Sequence, residues 1–220
     1  MTSLLVFKLH LFLESTVNDF ELSFEYGGIV MEQLKQRILQ ESAIISKDIL
    51  RLDSIINQQV DPSLIMDMGK ELASRFVDEG ITKVLTIESS GIPAAFATAL
   101  QLNVPLVFAR RKQTVINDPN SYLERVPSFT KGMVSDLVIS KQFLSETDRI
   151  LFIDDIIANG DGARGIVKII ERSGAQLIGM GIVVEKSFQA GADYFREQGV
   201  RVESLVKIAS LNSGEVIFKD

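Results

Sequence analysis

Cysteine is absent from this 220-residue chain, and histidine occurs once, at His10. Without a thiol there is no disulfide framework, no thiolate nucleophile and no thiolate metal site. A single imidazole, set in a segment apart from the periodic sequence, gives no basis for histidine acid/base chemistry or a His-rich metal cluster. Five prolines and 15 glycines are too few for a collagen-like or Pro-rich disordered chain. No apolar run has the length of a membrane span: Leu4 to Leu13 is short, carries Lys8 and His10, and is not followed by a small-residue cleavage site. An excess of positive charge is missing too. Lys and Arg number 23 against 29 Asp and Glu, a formal net charge of -6. That balance argues against broad attraction to nucleic acid or an anionic membrane, and leaves room for a local anion pocket. Internal repeats, low-complexity tracts and a Gly-x-Gly-x-x-Gly turn are also lacking, the last of which argues against a dinucleotide fold.

What is present is an ordinary globular composition, 46% hydrophobic and 24% charged, with apolar residues in short periodic bursts. A chain of this size can bury one main core. Residues 1–30 stand apart from it. Regular helical periodicity begins at Met31, just after Gly27-Gly28, and adjacent glycine codons ahead of a methionine can encode a ribosome-binding site. The expected organisation is therefore a disordered or non-native extension over 1–30 and a single domain over 31–220. Mass measurement of the product of the native gene tests it.

From Met31, Leu34, Ile38 and Leu39 have helical spacing, and Ala43 to Ile45 and Ile49 to Leu52 read as brief extended pieces. Asp61-Pro62 places a capping acid before a proline at the first helical position; Ile65, Met68, Leu72, Ala73 and Phe76 follow on one face, and Gly80 closes the helix. Lys83 to Ile87 is a strand, Pro93 to Leu100 a helix, and Val104 to Ala109 the next strand. Strands at Arg149 to Ile153 and Leu177 to Val184, with helices at Gly165 to Ile170 and Ala192 to Gln198, repeat the alternation. It predicts an α/β fold with a mainly parallel sheet and flanking helices, with ligands at the carboxyl ends of the strands. Arg125 to Thr130 and Met133 to Ser140 flank Lys131-Gly132 as a hairpin. Val202 to Ile208 and Glu215 to Phe218 are assigned to a C-terminal lobe.

The strongest local pattern runs from Ile150 to Gly162, Ile-Leu-Phe-Ile-Asp-Asp-Ile-Ile-Ala-Asn-Gly-Asp-Gly. A buried strand delivers two carboxylates, Asp154 and Asp155, to the sheet edge, and a small glycine-containing turn leads into a helix whose first N-H groups are free. Such a turn cradles an anion, while the carboxylates accept from sugar hydroxyls or hold magnesium through water. Read alone, the same residues also fit a polar strand-to-helix turn in which Asp154 or Asp155 caps the helix. Glu88-Ser89-Ser90-Gly91 ends another strand before a helix and can bind an anion or simply cap. Arg110, Arg111 and Lys112 end a third strand, where they can neutralise an anion or lie solvated on the surface.

Ile150 to Gly162 resembles the thirteen-residue phosphoribosyl-diphosphate motif of the type I phosphoribosyltransferases. The resemblance covers essentially all of 31–220 and implies that family's fold, including a small base-binding lobe. It implies that Asp154 and Asp155 act at the ribose as the catalytic pair and that Ala158, Asn159, Gly160, Asp161 and Gly162 hold the 5'-phosphate. Glu88, Ser89, Ser90 and Gly91, with Arg110, would receive the diphosphate, and Mg²⁺ would arrive on the diphosphate rather than in a protein metal site. One departure stands out: Asn159, Asp161 and Gly162 replace the threonine, glycine and hydroxyl residue more usual there, so Asp161 is expected to turn outward or take another partner.

Around Leu50 to Gln58, Thr86 to Ile92 and Glu185 to Gln189 the likeness is to xanthine-using members of the family, which implies Leu50, Asn57, Lys186 and Phe188 as base contacts. On residue type alone, Lys186 could equally be exposed and Phe188 core. A cationic donor suits the oxo groups of xanthine better than the exocyclic amine of adenine. The implied partners are xanthine and phosphoribosyl diphosphate, and the implied form is a cytoplasmic homodimer acting in purine salvage. The alternatives are hypoxanthine or guanine as base, or a non-catalytic sensor of phosphoribosyl diphosphate. Residues 1–30 lack the helix-turn-helix pattern a DNA-binding sensor needs.

Overall fold

The computed structural model describes residues 28–112, 118–128, 133–211 and 214–219. The run Leu4 to Leu13 and His10 lie outside the described residues, as do the Lys131-Gly132 turn and most of the loop after Arg111.

A helix, α1 (28–41), opens the described chain three residues before the expected start, and its first turn already buries Val30 beside Leu34 and Ile38. A short antiparallel hairpin follows, β1 (Ala43–Ser46) and β2 (Ile49–Arg51), then one wide helical turn over Asp53–Asn57. Helix α2 (Pro62–Ser74) starts as its sequence dictates: the Asp61 carboxylate accepts from the N-H groups of Ser63 and Leu64, and Pro62 occupies a position whose N-H would have no partner. Its apolar face, Leu64, Ile65, Met68 and Leu72, is buried.

Next come β3 (Lys83–Ile87), α3 (Ile92–Leu102), β4 (Leu106–Lys112), β5 (Ser121–Ser128), β6 (Met133–Ser140), β7 (Arg149–Ile157), α4 (Asp161–Ser173), β8 (Gln176–Lys186), α5 (Gly191–Glu197), β9 (Val202–Ser210) and β10 (Ile217–Phe218). They build one eight-stranded sheet in the order β10-β9-β8-β7-β3-β4-β6-β5. The five strands from β9 to β4 are parallel, while β10, β6 and β5 pair antiparallel at the edges.

Strand β7 shows how the layers form. Leu151 and Ile153 face a core shared with α1, α2 and α3, whereas Ile150 and Phe152 face a second core under α4 and α5. All four are buried, so the continuous apolar run is what a strand covered on both faces requires. The late strand expected in a C-terminal lobe lies instead inside the sheet. Residues of β9 pair in parallel with β8 from Met180↔Val202 to Lys186↔Ile208, and Leu205, Val206 and Ile208 are core.

This order creates the feature that positions the site. From β3 the chain crosses through α3 to β4 on one side; from β7 it crosses through α4 to β8 on the other. The carboxyl ends of β3 and β7 therefore sit at the point where the winding reverses, with a crevice between the two departing connections.

Candidate active site

That crevice is a cleft of about 770 Å³. One wall is the end of β7 and the turn beyond it: Asp154, Ile156, and Ala158 through Ala163. The opposite end holds Lys186, Phe188 and Gln189 after β8, faced by Ser46, Asp48 and Ile49 from the β1–β2 hairpin. Arg111 and Pro127 border it from the β4–β5–β6 side.

The acidic pair is partly buried, and the two carboxyl groups influence each other. The N-H of Asp155 donates to Asp154 Oδ1 at 3.1 Å. Burial pushes the Asp154 carboxyl well above the usual carboxylate range; the neighbouring Asp155 charge adds to this, and the Arg111 guanidinium partly opposes it. Asp155 is also raised by burial, with the Ser90 side chain favouring its ionised form. Both carboxyls are thus weaker acids than exposed ones, through burial and, for Asp154, through its neighbour's charge as well.

Beyond the pair, Gly160 adopts a left-handed conformation (φ 80°) at the N-cap of α4, whose first turn, Asp161 to Ala163, lines the cleft with N-H groups that have no partner within the helix. Asp161 is ion-paired with Arg164 one turn on, and Arg164 Nη1 also donates to the Asn159 carbonyl at 2.7 Å. The partner expected for this extra acid is thus a guanidinium supplied by its own helix. Its charge is answered locally, and the backbone donors stay free for an anion.

The Glu88–Gly91 turn stands behind the pair. The Glu88–Ser89 peptide is cis, and a side chain at Gly91 would meet Asp154 Oδ1 at 2.8 Å. Glu88 binds Arg110 Nε at 2.6 Å and the N-H of Arg111 at 2.6 Å. Of the two arginines, then, Arg110 is occupied by Glu88, and Arg111 borders the cleft and acts on Asp154.

Lys186 is 5% exposed, and its Nζ donates to the Asp48 carbonyl at 2.7 Å across the cleft. Burial lowers its basicity, countered by Asp48 and Asp155. Phe188 is half-buried against the α1–α2 core. Leu50 and Asn57 are placed differently. Leu50 is buried in the core directly after Ile49, and exposed Asn57 donates to Asp53 at 2.7 Å outside the cleft lining.

The structure therefore gathers Asp154, Ala158, Asn159, Gly160, Asp161, Gly162, Lys186 and Phe188 around one space, with Asp155, Ser89, Ser90 and Gly91 just behind. Sequence reasoning missed Asp48, whose contribution is a backbone carbonyl with no residue-type signal, and Arg164, whose signal was the uncompensated Asp161 three residues earlier. Among the described residues there is no group of three or more His, Asp or Glu side chains that could hold a metal ion. Two adjacent carboxylates suit a magnesium ion that brings most of its oxygen ligands with a diphosphate.

Comparison with known proteins gives the same reading of the fold. The phosphoribosyl transferase domain family matches residues 59–208. The xanthine phosphoribosyltransferase of Moorella thermoacetica is 50% identical over 189 residues, covering 86% of this chain and 96% of that protein. That of Bacillus mycoides is 47% identical over 188 residues, with 86% and 95% covered. Among solved structures, the adenine phosphoribosyltransferase of Rhodothermus marinus superposes with a TM-score of 0.65 at 22% identity, covering 82% of this chain and 99% of that one, which speaks to the fold alone. A chain whose winding reverses at an acidic strand end, and whose sequence matches along these lengths, belongs to the phosphoribosyltransferase family.

Proposed function

We propose that this protein transfers the 5-phosphoribosyl group of phosphoribosyl diphosphate to N9 of xanthine, releasing diphosphate and forming xanthosine 5'-monophosphate in purine salvage. The observation that carries this reading is the cleft, which one strand end lines with Asp154, with Asp155 just behind, which the glycine-containing turn beyond continues, and which a buried lysine and a phenylalanine close on the far side. The 47–50% identity to xanthine phosphoribosyltransferases over nearly their whole length supports the choice of base.

The chemistry follows from where charge develops. As the C1–O bond to diphosphate breaks, positive charge grows on the ribose ring and negative charge on the leaving group. Asp154 and Asp155 orient the ribose hydroxyls and offset the ring charge. Arg111 and the Ser89–Gly91 turn lie on the leaving-group side. The N-H groups of Ala158 to Gly162 fix the 5'-phosphate, so the reacting carbon is held at one end by a grip that does not change during reaction. Lys186 donates to an oxo group of the base while Phe188 packs on its ring. Magnesium, carried by the diphosphate, adds charge neutralisation beside Asp154 and Asp155 when bound.

We further read the working form as a homodimer, supported by the exposed apolar side chains of Phe96 and Leu100 beside a shallow depression on α3. A sedimentation mass of one chain at micromolar concentration would exclude it. Among the described residues no helix is long and apolar enough to cross a membrane.

The deciding experiment is a steady-state assay with magnesium, phosphoribosyl diphosphate and each of xanthine, guanine, hypoxanthine and adenine. Xanthine should give the highest kcat/KM, and Asp155→Asn should lower kcat by about 100-fold with the fold intact by circular dichroism. Nucleotide formation from none of the four bases would sink the assignment.

A further inference from the structure

Helix α5 takes no part in the cleft lining, yet it touches both ends of the cleft. At its carboxyl end, Arg196 grips Glu185, the residue before Lys186. Arg196 Nη2 reaches Glu185 Oε2 at 2.6 Å and Nη1 reaches Oε1 at 3.1 Å. The same carboxylate accepts from Ser204 Oγ of β9 at 2.6 Å and from Ser187 Oγ at 2.7 Å. Glu185 is 1% exposed and its acceptor capacity is filled, so burial is more than offset and its pKa falls to about 2. Ser187 sits between Lys186 and Phe188. The carboxylate consequently holds the turn that carries both base-facing side chains, and the Gln189 N-H to Lys186 carbonyl bond (2.9 Å) closes it.

At its amino end, α5 rests on the phosphate turn. The N-H of Gly191 donates to the Ala158 carbonyl at 2.9 Å. A side chain at Gly191 would strike that carbonyl, and would lie 2.7 Å from the Gly160 nitrogen and 2.8 Å from the Asn159 carbonyl carbon. One turn on, Tyr194 lies under the Arg164 guanidinium (5.4 Å to the ring centre), the group that pairs with Asp161.

We propose that α5 is a two-ended positioning element: through Glu185, Arg196 sets the base-binding turn, and through backbone contact Gly191 seats the phosphate turn. Neither residue touches substrate. The inference deepens the reading of Lys186 and Phe188 as base contacts and rests on it at one end only; the phosphate end stands on separate contacts. Two turns that must meet one nucleotide at both extremities are thereby fixed to a single seven-residue rigid body.

The test is a split in Michaelis constants. Glu185→Gln and Arg196→Ala should raise the KM for xanthine about tenfold while moving that for phosphoribosyl diphosphate less than about twofold. Gly191→Ala should do the reverse. Arg196→Lys, which keeps the charge and a donor, should recover part of the xanthine effect. Should Glu185→Gln fail to fold, Ser204→Ala, which removes one donor to the same carboxylate from outside the cleft, should raise the xanthine KM about threefold. The proposal is overturned if both classes of variant raise the same KM, or if melting temperature falls while neither KM moves. Lys186→Ala is the reference: if it leaves the base KM unchanged, the base-site reading fails, and Gly191→Ala still decides the phosphate end. If the parent enzyme prefers another purine, the same split is measured with that purine.

Discussion

From Ala158 to Gly162 the cleft wall is built of short residues, two of them glycines, whereas Lys186, Phe188 and Gln189 bring long side chains to it. In the function proposed, the first place recognises through N-H groups at the start of a helix, beside a left-handed glycine and the Arg164 bond to the Asn159 carbonyl. The second, in the same proposal, recognises through one ammonium and one ring, on a turn held by a buried carboxylate with four donors. A backbone site tolerates change in residue type, and this chain fits that tolerance: by resemblance, Asn159, Asp161 and Gly162 stand where threonine, glycine and a hydroxyl residue are more usual. A side-chain site does not tolerate it, because the group that binds is the group that would be replaced.

The contrast can be broken most readily by paired truncations. Lys186→Ala should lower kcat/KM for xanthine by about 30-fold, or ~2 kcal/mol, as loss of a charged donor from a buried site does, and should cost adenine far less. Asn159→Ala, at the centre of the phosphate turn, should cost about threefold or less with any base. Equal losses from the two would mean that the turn recognises through its side chains after all.

A smaller effect sharpens the same comparison through pH. Glu185 titrates near 2 in the folded protein against an ordinary 4.5, so the folded state binds fewer protons than the unfolded one between those values. Its contribution to stability is therefore complete above about pH 4.5 and drains away as pH falls toward 2. Glu185→Gln should melt about 4 °C or more below the parent at pH 7, a gap that narrows on acidification below pH 4.5. Nothing comparable is expected from Asp161→Asn, whose partner Arg164 is about a third exposed. A gap that stays constant down to pH 3 would assign the loss to shape rather than charge.

These differences also explain what could be read from the chain before its structure. Strand β7 and the turn after it were legible because every part is local: four apolar residues, two acids and a glycine turn occur in order, and each property is carried by residue type. The same holds for the Asp61-Pro62 start of α2. Val202 to Ile208 reads as part of a C-terminal lobe and not as β9 of the main sheet because its parallel neighbour is fixed by pairing across the sheet, and an apolar run does not announce which strand it joins. The opening helix reaches back to residue 28 because Val30 finds a place in the core that periodicity counted from Met31 omits. In the cleft, the acidic pair was visible as residue types, whereas Lys186 entered through resemblance, since its residue type fits an exposed surface as well. Asp48 was not, since it meets Lys186 from 138 residues away and through a carbonyl that every residue possesses. Arg196 was hidden for a related reason: an arginine on a short surface helix looks solvated until the buried carboxylate it serves is seen.

Burial of the acidic pair also bears on the charge that the cleft presents. The formal value of -6 counts Asp154 and Asp155 as fully ionised. With both carboxyls raised by burial, the pair gives up its charge more readily than exposed carboxylates do, which eases the approach of a polyanion. Engagement of the sugar and its cation favours the ionised pair, so donor binding should draw its titration back toward the acid range, read as a binding heat that differs between buffers of different ionisation enthalpy below neutral pH.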